Sequence, residues 1–124
     1  MNTAHAKTIL IAEDEDPLRE LVRVALGPDY RFAEAADGNQ ALELALELRP
    51  DLVVLDLMLP GTSGVDVLAS LRSDPGMGDT PVVVISAWTH AQQAAVDAGA
   101  DRFVPKPFDP DELKAIVDEL LTRS

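Results

Sequence analysis

Glu13 and Asp14, Asp56, Ser86, and Lys106 each end or closely follow a short apolar run, in IAEDED, LVVLD, VVVIS and FVPKPF. Asp56 is the most informative of them, because a carboxylate ending LVVLD would be costly to bury without a partner. Taken alone, a strand-end aspartate also fits a helix cap or a solvated loop acid. If the strand ends converge on one crevice, however, three carboxylates repel one another and one lysine does not neutralise them. A divalent cation does. Mg²⁺ takes oxygen ligands, accepts one or two carboxylates plus waters and often shares its shell with a phosphoryl group. Mn²⁺ is the alternative hard cation. Glu13 and Asp14 are therefore predicted to help build a metal site, with Asp16 capping the next helix and Glu15 a solvated side chain.

The elements that must position these groups follow from hydropathy. Thr8 to Ala12, Leu52 to Leu57 and Val82 to Ser86 are nearly continuous apolar runs rich in β-branched residues, which suits strands covered on both faces of a parallel sheet. Tyr30 to Ala35 and Arg102 to Val104 are weaker strand candidates, expected nearer the sheet edges. Leu18, Leu21, Val22, Ala25 and Leu26 have the spacing of one helix face, and Leu113, Ile116, Val117, Leu120 and Leu121 repeat it. Asp16-Pro17 and Asp109-Pro110 place an acid at a helix cap with proline after it. Asp37 and Ser63 look like further N-caps, opening helices that run to about Arg49 and Arg72. A fourth helix, Thr89 to Ala98, offers mostly alanines to the core and is expected to end at Gly99. Five strand–helix alternations without a long linker predict a doubly wound α/β fold with a five-stranded parallel sheet. Ligands in such sheets bind outside the carboxyl ends of the strands, where the strand order reverses.

Composition narrows the partners. The chain has 124 residues, 47% of them hydrophobic, and a net charge of −12. That charge repels DNA and anionic lipid, so neither nucleic acid nor membrane is an expected direct partner. The chain lacks cysteine, which excludes disulfides and thiolate metal sites. MNTAHAK lacks the apolar core of a signal peptide, and no apolar run approaches the length of a membrane span. These features point to a cytoplasmic protein.

Together, IAEDED, LVVLDLMLPGTSG, VVVISA and FVPKPF resemble, in order and distance, the receiver domain of bacterial two-component response regulators, the chemotaxis-regulator fold. The resemblance covers about residues 7–121 and treats residues 1–124 as one receiver domain with a flavodoxin-like (βα)5 sheet and five helices. It implies that Asp56 is the phosphoacceptor, Glu13 and Asp14 the acidic pair, and Lys106 the lysine that contacts the phosphoryl group. Ser86 takes the place of the switch hydroxyl and Phe103 that of the switch aromatic, while Met58 offers its backbone carbonyl to the metal. The Lys106-Pro107 bond is expected to be cis. Such a domain catalyses its own aspartyl phosphorylation and dephosphorylation but is mainly a signalling switch. Its implied donor is a sensor histidine kinase or histidine phosphotransfer protein. Its output runs through the face built from the fourth helix, fifth strand and fifth helix, to a protein target or a second copy of the chain.

Two departures bear on function. Met58, two residues after the acceptor, and Trp88, two after Ser86, flank the implied path of attacking water with bulky apolar groups, which predicts slow dephosphorylation. Phe103 lacks the hydroxyl of the tyrosine common at its position. Neither His5 nor His90 is expected to take part in the chemistry. A flavodoxin-like electron carrier is disfavoured because EDED would repel the flavin phosphate. A haloacid-dehalogenase-type phosphatase needs a second acid where this chain has Met58. The remaining rival is a pseudo-receiver, an interaction module that keeps the fold without phosphorylation, and intact Asp14, Asp56 and Lys106 weigh against it.

Overall fold

Five strands, β1 (Thr8–Ala12), β2 (Arg31–Ala35), β3 (Leu52–Asp56), β4 (Val82–Ser86) and β5 (Arg102–Pro105), form one parallel sheet in the order β2-β1-β3-β4-β5. The computed structural model describes residues 6–122, so His5 lies outside the described residues. The connecting helices are α1 (Asp16–Leu26), α2 (Gly38–Leu48), α3 (Gly64–Ser73), α4 (Gln92–Asp97) and α5 (Pro110–Thr122).

Successive strand side chains point to opposite faces, which splits the core into two layers. Ile9, Ile11, Leu52, Val54, Val83, Ile85 and Val104 pack with Val22 and Leu26 of α1 and with Leu113, Ile116, Val117, Leu120 and Leu121 of α5. Leu10, Ala12, Val53, Leu55, Val82 and Val84 pack instead against α2, α3 and α4 through Ala41, Ala45, Val67, Leu68, Leu71 and Ala95. The central strands β3 and β4 are buried along their whole length, as their unbroken apolar character requires. Each fully buried Leu, Ile or Val side chain contributes about 1.5–3 kcal/mol.

Several expected boundaries shift by a residue. β3 stops at Asp56 rather than Leu57 because its last partner is Ile85; the Leu57 carbonyl instead accepts the Gly64 N–H at 3.2 Å, closing the loop onto α3. β2 begins at Arg31, whose N–H donates to the Lys7 carbonyl at 2.8 Å. β5 extends to Pro105, which pairs with Ser86.

Asp37, Ser63 and Asp109 cap as expected, accepting the N–H groups of Gln40, Asp66 and Asp111. Asp16 does not. Glu15 occupies the N-cap of α1 without a side-chain cap bond, and Asp16 is the first helical residue, paired with Arg19. Leu21, on the expected apolar face of α1, remains 41% exposed. The fourth helix is split: a 3₁₀ turn, Thr89–Ala91, precedes α4. Its N-cap positions, Trp88 and Ala91, have no side-chain oxygen with which to cap. Ala95 is the buried residue of α4, in keeping with its alanine-rich face, and Gly99 follows the helix at φ 108°.

Candidate functional site

β1 lies between β2 and β3, and the chain leaves the carboxyl ends of β1 and β3 in opposite directions along the sheet. This reversal opens a crevice, and the side chains around it carry charge. Glu13 follows β1, Asp56 ends β3, Ser86 ends β4 and Lys106 follows β5. Among the described residues, Glu13, Asp56 and Ser86 are the buried polar ones.

Lys106 crosses the crevice and joins two of them. Its Nζ lies 2.7 Å from Asp56 Oδ2 and 2.9 Å from Glu13 Oε1. Asp56 Oδ1 accepts the Met58 N–H at 2.9 Å, and Glu13 Oε2 accepts the Glu15 N–H at 3.0 Å. Lys106 is itself placed by its N–H, which donates to the Ser86 carbonyl at 2.8 Å, and the Lys106-Pro107 peptide is cis.

These contacts drive the two carboxyls apart. Burial, reinforced by the neighbouring Asp56, pushes Glu13 up to about 7. Burial also opposes ionisation of Asp56, but hydrogen bonds with Glu13, Lys106 and the Met58 N–H outweigh it and hold Asp56 below its ordinary value. For Lys106 the burial effect is likewise overcome by its two carboxylate partners, which raise its affinity for the proton. The balance favours the anionic form of Asp56.

Asp14 is exposed at the mouth of the crevice. One ligand oxygen each from Glu13, Asp14 and Asp56 can be chosen so that all lie within 4.8 Å of one another. This all-oxygen, net-negative donor set fits a hard divalent cation. Both oxygens of Glu13 and both of Asp56 already hold donors, which leaves exposed Asp14 the most open ligand.

Ser86 is fully buried, and its Oγ accepts the Trp88 N–H at 3.0 Å. Phe103, on β5, pairs with Val84 of β4 and packs, partly buried, in the layer against α2, α3 and α4. It therefore lies two residues back along the ladder from Ser86, on the same sheet face. Met58 and Trp88 are half exposed and line a groove of about 520 Å³ beside Asp14, with Leu57, Leu59 and Pro60. His90 stacks on Trp88, ring centroids 5.6 Å apart, and is not part of the carboxylate cluster.

Sequence reasoning overlooked two supporting residues. A Cβ on Gly64 would stand 2.4 Å from Leu57 Cα and 2.5 Å from the Asp56 carbonyl oxygen, so glycine is what lets α3 start against the end of β3. The Ser-Gly pair at the start of an apolar helix is the only signal, and it reads first as a cap. Arg19 Nη1 donates to the Glu13 carbonyl at 2.6 Å, yet in sequence it looks like an ordinary solvated residue of α1.

A five-stranded parallel sheet of flavodoxin-like topology, with a lysine-bridged acidic crevice at its switch point, defines the class. Residues 9–118 match the response regulator receiver domain family, and the chain belongs to that family. It is 44% identical over 119 residues to the DNA-binding response regulator MtrA of Mycolicibacterium smegmatis, covering 94% of this chain and 51% of MtrA. The chain thus spans about half the length of this relative. A crystal structure of a protein from Chloroflexus aurantiacus described as a response regulator superposes with a TM-score of 0.90 at 31% identity, covering 95% of this chain and 99% of the other. The phosphorylated cyanobacterial phytochrome response regulator RcpA superposes with a TM-score of 0.84 at 26% identity, covering 96% of each chain. The chain is a receiver domain of the two-component type, and among the described residues no helix is long and apolar enough to cross a membrane.

Proposed function

We propose that Asp56 accepts a phosphoryl group from a sensor histidine kinase or a histidine phosphotransfer protein in the cytoplasm, in a Mg²⁺-dependent reaction. The observation that carries this reading is the setting of Asp56: buried, held at one oxygen by Lys106 and at the other by a backbone N–H, contacts that lower its carboxyl below the ordinary value.

Phosphoryl transfer is loose and needs mainly in-line positioning and charge neutralisation. An Asp56 carboxylate oxygen forms a bond to phosphorus as the bond from phosphorus to the donor's imidazole nitrogen breaks, and that nitrogen keeps the electron pair. Lys106, already 2.7 Å from Asp56, follows the charge onto the new phosphoryl oxygens. Mg²⁺ held by Asp14 and Asp56, with Glu13 and the Met58 carbonyl completing the protein side, would neutralise the transferring group, and Mn²⁺ can substitute. Hydrolysis returns the carboxylate, so the domain catalyses both halves of its own cycle while acting chiefly as a switch.

The signal starts at Ser86. Its oxygen accepts the Trp88 N–H, while its O–H can donate to a phosphoryl oxygen, and the shift of Ser86 toward that oxygen frees space that Phe103, on the same sheet face, can fill. Ser86 and Phe103 would thus reshape the α4–β5–α5 face, biasing an existing equilibrium. The net charge of −12 favours a protein target, or a second copy of the chain, over direct contact with DNA.

Incubation with acetyl phosphate and Mg²⁺ should add one phosphoryl group by intact mass, and Asp56→Asn should add none. Wild-type protein that stays unmodified with metal present would instead identify a pseudo-receiver acting through protein contacts.

A further inference from the structure

We infer that Arg19 is a positioning residue for the metal site, presetting the Glu13–Asp14 peptide so that Asp14 reaches the cation. The inference rests on the Mg²⁺ site proposed above.

The Arg19 side chain is 14% exposed and distributes its guanidinium among three partners. Nη1 donates to the Glu13 carbonyl at 2.6 Å, Nε donates to Glu34 Oε1 on β2 at 3.0 Å, and Nη2 pairs with Asp16. Glu34 is held in turn by Arg23, whose Nε lies 3.1 Å from Oε2. One side chain therefore clasps α1, β2 and the loop between β1 and α1.

The carbonyl it grips belongs to the peptide joining Glu13 to Asp14. A peptide unit is planar, so fixing its oxygen fixes the direction in which Asp14 departs from the strand. Everything else around Glu13 is tied as well. Its N–H donates to the Ala35 carbonyl at 3.0 Å, and its two side-chain oxygens hold Lys106 and the Glu15 N–H. Asp14 carries the exposed ligand, and the Arg19 bond restrains the backbone leading to it.

Charge and geometry make opposite predictions here. Arg19 adds positive charge near the cluster, so by electrostatics alone its removal would strengthen cation binding. By positioning, its removal frees the Asp14 backbone and weakens binding. The sign of the change separates the two.

The test is Mg²⁺ titration of the full chain, followed by calorimetry and by emission of Trp88, the single tryptophan, which lines the same groove as Asp14. Wild type, Arg19→Lys, Arg19→Gln and Asp14→Asn are compared. Arg72→Gln serves as the structural control, since Arg72 also binds backbone carbonyls, at Gly78, Thr80 and Gly99, and takes no part in the carboxylate cluster. Both Arg19 variants should bind Mg²⁺ about tenfold more weakly, the scale of a lost ligand-orienting contact, with folded circular dichroism spectra. Phosphorylation by acetyl phosphate should then need more Mg²⁺ but regain most of its rate at saturation. Arg72→Gln should lose thermal stability without losing affinity. Unchanged or tighter binding by the Arg19 variants, with wild type and Asp14→Asn behaving as ligand and lost ligand, would overturn the inference alone. If Arg19→Gln does not fold, Arg19→Lys decides on the same criterion. Wild type that binds no Mg²⁺ would overturn the metal site itself.

Discussion

Lys106 Nζ sits 2.7 Å from Asp56 Oδ2 and 2.9 Å from Glu13 Oε1, so one ammonium group bridges two buried carboxylates, one ending β3 and the other just after β1. Removing it leaves both without their cation. Lys106→Met should destabilise the metal-free protein by about 3 kcal/mol, the lower end for breaking a buried pair, because Glu13 can take up a proton. Adding Asp56→Asn should recover much of that loss. Urea denaturation without Mg²⁺ measures both, and additive losses in the double variant would show that the residues are not coupled.

Gly64 is predicted to be intolerant of even one methyl group. Its Cβ would meet backbone atoms of Leu57 and Asp56, which cannot rotate away. Gly64→Ala should cost about 1–3 kcal/mol or more and slow the proposed phosphorylation by displacing Asp56. At Gly78 a Cβ would find its nearest neighbours at 3.5 and 3.6 Å, so Gly78→Ala should stay within about 0.5 kcal/mol of wild type. Similar losses at both sites in thermal melts would contradict the close approach of α3.

Asp118 on α5 predicts a pH dependence remote from the crevice. It accepts the Tyr30 hydroxyl and, at 2.7 Å, the Lys114 ammonium. Slight burial opposes ionisation, but these two donors outweigh it and hold the Asp118 carboxyl below its ordinary value. Burial, then the bond to Asp118, pushes the Tyr30 hydroxyl above the usual range for a phenol. A depressed carboxyl contributes stability that is present above its unfolded value, about 3.9, and lost as the pH falls through the folded value. Asp118→Asn should therefore trail wild type by under about 1 kcal/mol near neutrality, the pair being partly exposed. The gap should close in acid. Urea melts across that range test this, and a gap that widens in acid would reverse the sign.

Met58 and Trp88, both half exposed beside Asp14, are expected to restrict water attacking a phosphorylated Asp56. Replacing them with Asn and Glu, which can orient water, should hasten loss of the phosphoryl group once the donor is removed. A tenfold acceleration corresponds to a barrier lower by about 1.4 kcal/mol. Decay followed by intact mass avoids dependence on the tryptophan signal. Equal rates would leave both as surface residues without control of water.

The sheet was legible from sequence because period-two burial and short apolar runs are local properties. Val53 and Val54 had to face opposite layers whatever their neighbours were, and the polar residues ending the runs had to lie at one sheet edge. Asp37, Ser63 and Asp109 were readable as caps because capping joins residues two or three positions apart. Local pattern failed where long-range docking decided the outcome. Leu21 keeps helical spacing but is only partly covered by the neighbouring elements, and Glu15 rather than Asp16 takes the N-cap of α1. The separation of Glu13 and Asp56 into a carboxyl pushed up to about 7 and one held below its ordinary value depends on burial and on Lys106 arriving after β5. The grip of Arg19 on the Glu13 carbonyl likewise needs α1 packed against β1 and β2. Residue type and spacing determined which groups reach the crevice; three-dimensional distance determined their charge states and what holds them, since desolvation and hydrogen bonding act through space rather than along the chain.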